Sequence, residues 1–521
     1  MSETRILTTA QMRWADEQTI QSGTSAFTLM DRAGRTLSAT ILELMPDYGR
    51  IVIVTGSGNN GGDGFAAAHY LRQRRIPVTI VSLVPLTQLN DECKQHADLA
   101  SAAGVKIREA CADDCIEELS RWLLRAVLVV DAIFGVGLNR SLNSAMMDVI
   151  HRINQSDRPV LSVDIASGLC ADTGVVMGAA VQADYTLPVA ASKWGHWLSE
   201  GRDYTGRLLK VAEIGIAEET INLSWQYTCS VEGAFCVHST CLITDAFLAS
   251  AWPGRSRLTH KGSYGHVCVF GGSVGHTGAP QLAALGAYAA GAGLVSLLCP
   301  DDVWPVIATA SLEVMSYPQS TGHWQQADVV VAGPGWGLDQ GVLLQTLLDS
   351  DKPLLLDADA LNIIAADAAL QQQLAGRCEQ RGAMTVMTPH PGEAARLLDS
   401  SSTEIQRNRK ESILALTTRY ACWVVLKGSE TLIASPAGDV YLNPFGSAQL
   451  AVAGSGDVLA GVIAAQLVKL DDKQVDLGVL ISSAVALHGK AGESSGWYLA
   501  GELVKQVAQM RQRIEQDGKF L

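Results

Sequence analysis

Positive charge is scarce: 39 Lys and Arg stand against 53 Asp and Glu in 521 residues, for a formal net charge of -14. A chain this acidic repels nucleic acid and anionic membrane surfaces, so an anionic ligand needs a local pocket of backbone N–H groups and a few cations. Charged residues are also few, at 18%, while hydrophobic residues make up 48%, a balance that excludes general disorder. The 11 cysteines are scattered and include no C-x-x-C pair. Cys111 and Cys115 would share a helix face, yet no second ligand pair lies nearby. The set reads as idle thiols in a reducing compartment, the cytoplasm, not as a metal site or disulfide framework. The first ten residues hold no apolar segment, and Arg13 and Asp16 follow, against a signal peptide. The uncharged stretch Ala279–Pro300 is long enough for a bilayer but rich in Ala and Gly. A buried helix running into a strand at Gly293–Cys299 explains it better. No G-x-x-x-x-G-K-[ST] occurs, which excludes a P-loop enzyme.

What is present is length enough for two large domains, filled by short β-rich apolar runs alternating with Ala/Leu-rich helical stretches. That alternation predicts parallel sheets covered by helices. Strands are expected at Ile51–Thr55, Val78–Val81, Ala126–Asp131, Val160–Asp164 and Leu208–Glu213, after a helical stretch over Ala10–Met45. The pattern lapses between Ile216 and Gly262, which puts a boundary near residue 230 and divides the chain into 1–225 and 226–521. It resumes with strands at Gly265–Gly271, Gly293–Leu298, Val329–Ala332, Pro353–Asp357, Thr385–Thr388 and Val424–Leu426. Helices are expected at Ala279–Ala292, Pro391–Asp399, Arg407–Tyr420 and Val458–Leu470. The halves show no repeat of one another, so two different α/β folds are joined.

In the first half, a strand runs into the loop Gly56-Ser-Gly-Asn59-Asn60-Gly61-Gly62-Asp63-Gly64 and then a helix. Glycines allow close backbone approach to a ligand, and a helix N-terminus suits a phosphate. Asn59, Asn60 and Asp63 set this loop apart from an ordinary dinucleotide fingerprint and add oxygens for a cation or a ribose. Asp131 and Asp164 each end a later strand, and ligands of open parallel sheets bind beyond such ends. One Asp there is often only a helix cap; three beside a glycine loop make a site.

The run GSGNNGGDG, then DAIFGVG, then VDIASG, resembles the NAD(P)H-hydrate epimerase domain over most of residues 1–220. That resemblance implies a Rossmann-like three-layer α/β/α fold and a bound potassium ion held by Asn60, Asp131 and Ser167. It implies substrate contacts at Asn59, Asn60, Gly61, Gly62 and Asp63, at Gly135, Val136, Gly137, Leu138, Asn139, Arg140 and Ser141, and at Asp164, the acid/base candidate. Ala166 stands where the family has Pro.

The second half carries Lys261-Gly-Ser-Tyr-Gly265, Gly333-Pro-Gly335-Trp-Gly337, Thr388-Pro-His390-Pro-Gly-Glu393, Lys427-Gly428-Ser429-Glu430-Thr431 and Ala453-Gly454-Ser-Gly456-Asp457. The last opens a helix with an anion-ready loop. Asp457 is either a general base at its mouth or simply a cap. Lys427 is either a nucleotide-phosphate cation or a solvated hairpin charge, and His390 is as readily structural as functional.

Together with DADALN and TPHPGEAARLL, these motifs resemble the NAD(P)H-hydrate dehydratase domain of the ribokinase-like fold, over about residues 235–510. The resemblance implies that ADP phosphorylates the hydrate's hydroxyl, giving AMP and then free phosphate, with magnesium, whose ligands it does not assign. It implies hydrate contacts at Ala279, Gly335, His390 and Asp457, nucleotide contacts at Lys427, Gly428, Ser429, Glu430, Thr431 and Gly456, and Asp457 as base. NADH-hydrate and NADPH-hydrate are the implied substrates of a homo-oligomer. Ala453, Val452 and Ser447 depart from the family pattern; an Ala forced to φ > 0 at 453 would displace a phosphate-binding N–H. Two other readings keep part of this evidence: a ribokinase-like small-molecule kinase with a fused nucleotide-binding regulatory domain, and a binding module without catalysis in the first half.

Overall fold

The computed structural model describes residues 5–45, 49–110, 115–232, 239–252, 254–255, 257–310, 312–471 and 476–517. Cys111 lies outside them, and with it the Cys111–Cys115 helix face. The chain divides into two units, Met1–Gly233 and Ala234–Leu521.

The first unit holds a seven-stranded parallel sheet in the order Lys106–Glu109, Val78–Ser82, Arg50–Thr55, Ala126–Ala132, Val160–Val163, Tyr185–Leu187, Arg207–Leu208. Successive side chains of a strand point to opposite faces. Ile51 and Ile53 therefore feed one core cluster while Val52 and Val54 feed the other, which is why this strand reads as a continuous apolar run. From Arg50–Thr55 the chain winds outward on one side and then restarts at Ala126–Ala132 on the other. The loops after Thr55 and after Ala132 thus flank the point where strand order reverses, the place where open sheets bind ligands.

The helical stretch expected over Ala10–Met45 is two helices, Thr9–Gln21 and Ala26–Leu44. Gly23 at φ +109° breaks it, and Ser25 caps the second by accepting from the Thr28 N–H. The buried face of Ala26–Leu44 is Leu29, Met30, Ala33, Leu37 and Ile41. A Cβ at Gly34 would lie 2.3 Å from the Ala66 Cβ, so that helix and Asn59–Gln73 pack backbone to backbone. Two further expectations fail. The strand placed at Leu208–Glu213 shortens to Arg207–Leu208, with Ala212 making only an isolated bridge to Val189. The stretch Ile216–Gly262, read as irregular, contains helix Glu218–Glu232, strand Ser239–Leu242 and helix Asp245–Ser250.

The second unit holds a ten-stranded sheet in the order Ser239–Leu242, Asp439–Asn443, Thr431–Ala434, Trp423–Leu426, Thr385–Met387, Leu354–Leu356, Val329–Ala332, His266–Phe270, Leu294–Cys299, Met315–Pro318. Thr431–Ala434 pairs antiparallel with both its neighbours, while the other pairs are parallel. Its switch point lies between His266–Phe270 and Val329–Ala332. Helices Gly278–Ala290 and Ser455–Leu467 cross so closely that a Cβ at Gly461 would meet the Ala283 carbonyl at 1.9 Å. The stretch Ala279–Pro300 is a helix ended by Gly291 at φ +106° and followed by strand Leu294–Cys299. Among the described residues, no helix is long and apolar enough to cross a membrane.

Candidate active sites

A cavity of ≈ 420 Å³ opens at the first unit's switch point. Asn59, Asn60, Asp63, Gly135, Val136, Gly137, Leu138 and Asp164 line it, as do Met12, Arg13, Asp16, Glu92 and Lys193. Five expected contacts lie elsewhere. A Cβ at Gly61 would meet the Gly56 carbonyl and one at Gly62 the Met30 sulfur, each at 2.3 Å, so these glycines permit packing. Asn139, Arg140 and Ser141 are exposed on the continuing loop.

Asp164 is held from every side. Its Oδ1 accepts from the Lys193 ammonium and from the Val189 N–H (3.0 Å). Lys193, only 1% exposed, also donates to the Val189 carbonyl at 2.6 Å. His196 Nδ1 accepts from the Lys193 N–H at 3.1 Å, which leaves Nε2 to donate to the Asp164 carbonyl at 2.8 Å. Burial, then the Lys193 charge, lowers the His196 pKa to about 4, so the ring is neutral. Asp164 sits at φ +67°. A non-glycine residue there costs about 1–3 kcal/mol, a strain that persists only where its surroundings over-determine it.

Three carboxylates face this one cation. Burial, followed by repulsion from Asp164 and Asp16, raises Asp63 well above the usual carboxylate range. Burial raises Asp16 to about 6 against the pull of Lys193. Lys193, His196 and Asp16 were absent from the sequence expectations because none belongs to a glycine-rich motif.

Asp131 is buried behind the cavity. It accepts from the Ser162 hydroxyl (2.8 Å), the Ser167 N–H (2.9 Å) and hydroxyl (2.6 Å), and the Ile133 N–H (3.3 Å). These donors are all neutral, and burial raises its pKa against them. Asn60 is buried with neither side-chain polar atom hydrogen-bonded. A cation with oxygen ligands suits such a place.

In the second unit, Gly454 at φ +93° is the cap of helix Ser455–Leu467 and makes no side-chain cap bond. Asp457 is therefore not the cap. Burial, then the neighbouring Asp357, raises its pKa to about 7, against Lys427. The Lys427 ammonium donates to Asp357 Oδ1 at 2.6 Å and lies 3.9 Å from Glu393 Oε2. Burial would lower the Lys427 pKa, but Asp357, Glu393 and Asp457 together raise it. The solvated-hairpin reading of Lys427 thus fails. Glu393 itself is pushed up to about 7, chiefly by burial.

A Cβ on Gly456 would stand 3.5 Å from the Lys427 Nζ, so these two nucleotide candidates meet. Gly428 and Ser429 are exposed, whereas Glu430 and Thr431 are buried. Arg409 braces this loop from beneath, donating to the carbonyls of Leu426 (3.0 Å) and Glu430 (3.1 Å). Ala279 and Gly335 also meet: a Cβ on Gly335 would lie 3.1 Å from that of Ala279. His390 caps helix Pro391–Leu397, its Nδ1 accepting from the Gly392 N–H at 2.9 Å, with Nε2 3.3 Å from Glu393 Oε1. Ala453 is absent from the residues at positive φ; Gly454 takes that conformation instead. Ser447 donates to the Gly492 carbonyl at 2.7 Å, and Val452 packs on the core. None of the three departures strains the loop.

Residues 267–503 match the family described as NAD(P)H-hydrate dehydratase, and residues 26–195 match the family described as YjeF-related protein N-terminus. A bifunctional NAD(P)H-hydrate repair enzyme of Moorella thermoacetica is 35% identical, covering 90% of this chain and 88% of its own. One of Coxiella burnetii is 32% identical, covering 93% of each. Among solved structures, the ADP/ATP-dependent NAD(P)H-hydrate dehydratase of Bacillus subtilis, co-crystallised with ATP and Mg2+, is 29% identical with a TM-score of 0.44, covering 52% of this chain and 98% of that one.

Proposed function

The chain belongs to the family of bifunctional NAD(P)H-hydrate repair enzymes, and from that premise we propose how its two units divide the work. The first interconverts the R and S forms of NAD(P)H hydrate. The second dehydrates the S form, using ADP and giving AMP and phosphate. The observation that carries the reading is that each unit places a lysine–aspartate ion pair beside a glycine-rich loop.

In the first unit Asp164 is the acid/base at the hydrated carbon, with Asn59, Asn60 and Asp63 on one wall and Gly135 to Leu138 on another. Lys193 and the neutral His196 fix the Asp164 carboxylate and its backbone. Potassium fits Asn60, Asp131 and Ser167: the bare polar atoms of Asn60 and the buried Asp131, met only by neutral donors, supply hard oxygens. Bound there, it would offset the negative charge behind the loop.

In the second unit Asp457 accepts the proton of the hydrate's hydroxyl as that oxygen attacks the nucleotide's terminal phosphorus. Free N–H groups opening helix Ser455–Leu467, with Lys427, stabilise charge on the moving phosphoryl group. Ala279, Gly335 and His390 contact the hydrate. Lys427, Gly428, Ser429 and Gly456 contact the nucleotide; Glu430 and Thr431 hold the loop's shape. Asp357 and Glu393 would hold magnesium, since carboxylates outnumber the one cation among them. The metal would neutralise phosphate charge.

The test is recovery of absorbance at the reduced-nicotinamide band from a mixture of both NADH-hydrate epimers, with magnesium, potassium, and ADP or ATP. Wild type should recover all of the NADH. Asp457→Asn should recover none, and Asp164→Asn should slow recovery of the R fraction to its spontaneous rate. Full activity in Asp457→Asn would refute the assignment of the base.

A further inference from the structure

Asp16 stands on helix Thr9–Gln21, whose residues Met12, Arg13, Asp16 and Ile20 form one wall of the first unit's cavity. Asp164 reaches the same cavity from the loop after strand Val160–Val163. The two carboxylates therefore arrive on separate elements, with Asp63 and Lys193 in the same charged cluster. Their settings differ. Asp164 is ion-paired and bonded through side chain and backbone, whereas the Asp16 carboxylate has no hydrogen bond or ion pair among the described residues. A partly buried carboxylate left bare toward a ligand cavity has no structural task there.

Resting on the epimerase reading above, we propose that Asp16 is the second proton-transfer group of that reaction, working opposite Asp164. Asp16 gives its proton to the hydrate's hydroxyl oxygen as the C–O bond breaks. The electron pair leaves with that oxygen as water, and the ring nitrogen's lone pair closes a C=N bond. A water then adds to the other face of the carbon, the C=N pair returns to nitrogen, and Asp164 takes the added water's surplus proton. One water is lost and one gained, the carbon is inverted, and one proton has moved from Asp16 to Asp164. The reverse epimerisation uses the same steps with the two roles exchanged, and solvent resets the pair between turnovers.

Asp63 and Glu92 also line the cavity, and burial raises the Asp63 pKa well above the usual carboxylate range. A group that must both give and regain a proton works best when its pKa lies near the operating pH. Asp16, raised to about 6, meets that condition. Arg13 and Glu17 on its own helix, and Asp63, Glu92, Asp164 and Lys193 from facing elements, set its charge surroundings.

The experiment follows interconversion of the separated epimers by chromatography, in the full chain without nucleotide, from pH 5 to 8, in water enriched in 18O. Wild type should beat the spontaneous rate, incorporate one solvent oxygen per inversion, and lose kcat/KM in both directions alike as pH rises past about 6, because both directions draw on the one proton that the pair shares. Asp16→Asn should lower kcat by at least about 10²-fold with KM changed only a few-fold, and should abolish that pH limb. Asp16→Glu should restore part of both, which separates proton transfer from a folding defect. An Asp16→Asn enzyme within a few-fold of wild type, or inversion without solvent oxygen, overturns the proposal while leaving the epimerase reading intact. A wild type no faster than the spontaneous rate overturns both.

Discussion

Numbered within each unit, the central seven parallel strands run in the same order, 3-2-1-4-5-6-7, and the second unit adds three more at one edge; the two units also solve one problem in the same way. Each buries a neutral histidine that donates to a backbone carbonyl at or near its proposed acid/base. His196 Nε2 donates to the Asp164 carbonyl at 2.8 Å, and His488 Nε2 to the Ser455 carbonyl at 3.0 Å. Burial lowers both rings to a pKa of about 4. Each unit also sets a lysine against a buried carboxylate. The difference lies in which carboxylate the lysine takes. Lys193 grips Asp164 itself, whereas Lys427 grips Asp357 and leaves Asp457 without the ammonium. The lysine in the first unit holds the proposed acid/base; in the second it pairs with a different carboxylate and stands beside Gly456, a proposed nucleotide contact.

Breaking the lysines tests that contrast with the largest effects. Lys193→Met removes the partner of Asp164 and should cut epimerisation by about 10²–10³-fold through kcat. Dehydration of the pure S epimer should be unaffected. Lys427→Met should instead raise the nucleotide KM together with its loss of kcat, because that ammonium stands beside Gly456. If both variants lost only kcat, the two lysines would share one role.

Next in size are the histidines. Replacing His196 or His488 with Phe leaves a buried carbonyl without its donor and should lower stability by about 1–3 kcal/mol, read from denaturant midpoints. The pH dependence has a definite sign. Each ring is harder to protonate folded than unfolded, so its contribution is whole above pH about 6.5 and is lost as pH falls toward about 4. Wild-type stability should decline across that window by on the order of 3 kcal/mol per histidine. Each His→Phe variant should flatten part of the decline. An unchanged slope would mean that neither ring is kept neutral.

The central strands were legible because β-branched runs such as Ile51–Thr55 and Val329–Ala332, buried on both faces, leave few alternatives. Edge elements were not. Lys106–Glu109 is mostly exposed and carries no apolar run, and the antiparallel strand Thr431–Ala434 begins at the last residue of the Lys427–Thr431 run read as nucleotide contacts. Helix Glu218–Glu232 was missed because its Thr, Ser, Asn and Cys break the apolar period that marks a helix. Of the residues held by their own loop motifs, Asn59, Asn60, Asp63 and Asp164 do line the first unit's cavity, and Gly456 stands beside Lys427 in the second unit. Asp16, Lys193 and Arg409 were not legible, because only tertiary packing carries them to those loops.

The smallest expected effect concerns the departure from the family pattern at Ala453. Its cost depended on that residue needing the left-handed conformation, and the structure gives that conformation to Gly454, at φ +93°. Ala453→Gly should therefore release no strain. It should add backbone freedom to the unfolded chain, lowering stability by about 0.4–1 kcal/mol and leaving the nucleotide KM within about twofold. Gly454→Ala one residue on should be far worse. Its Cβ would meet the Leu282 side chain at 2.5 Å and demand a strained φ, so the N–H groups opening the helix would shift and nucleotide KM would rise. Were Ala453→Gly the variant that improved nucleotide affinity severalfold, the loop would have to change conformation on binding, and the departure at 453 would be a real handicap to this second unit.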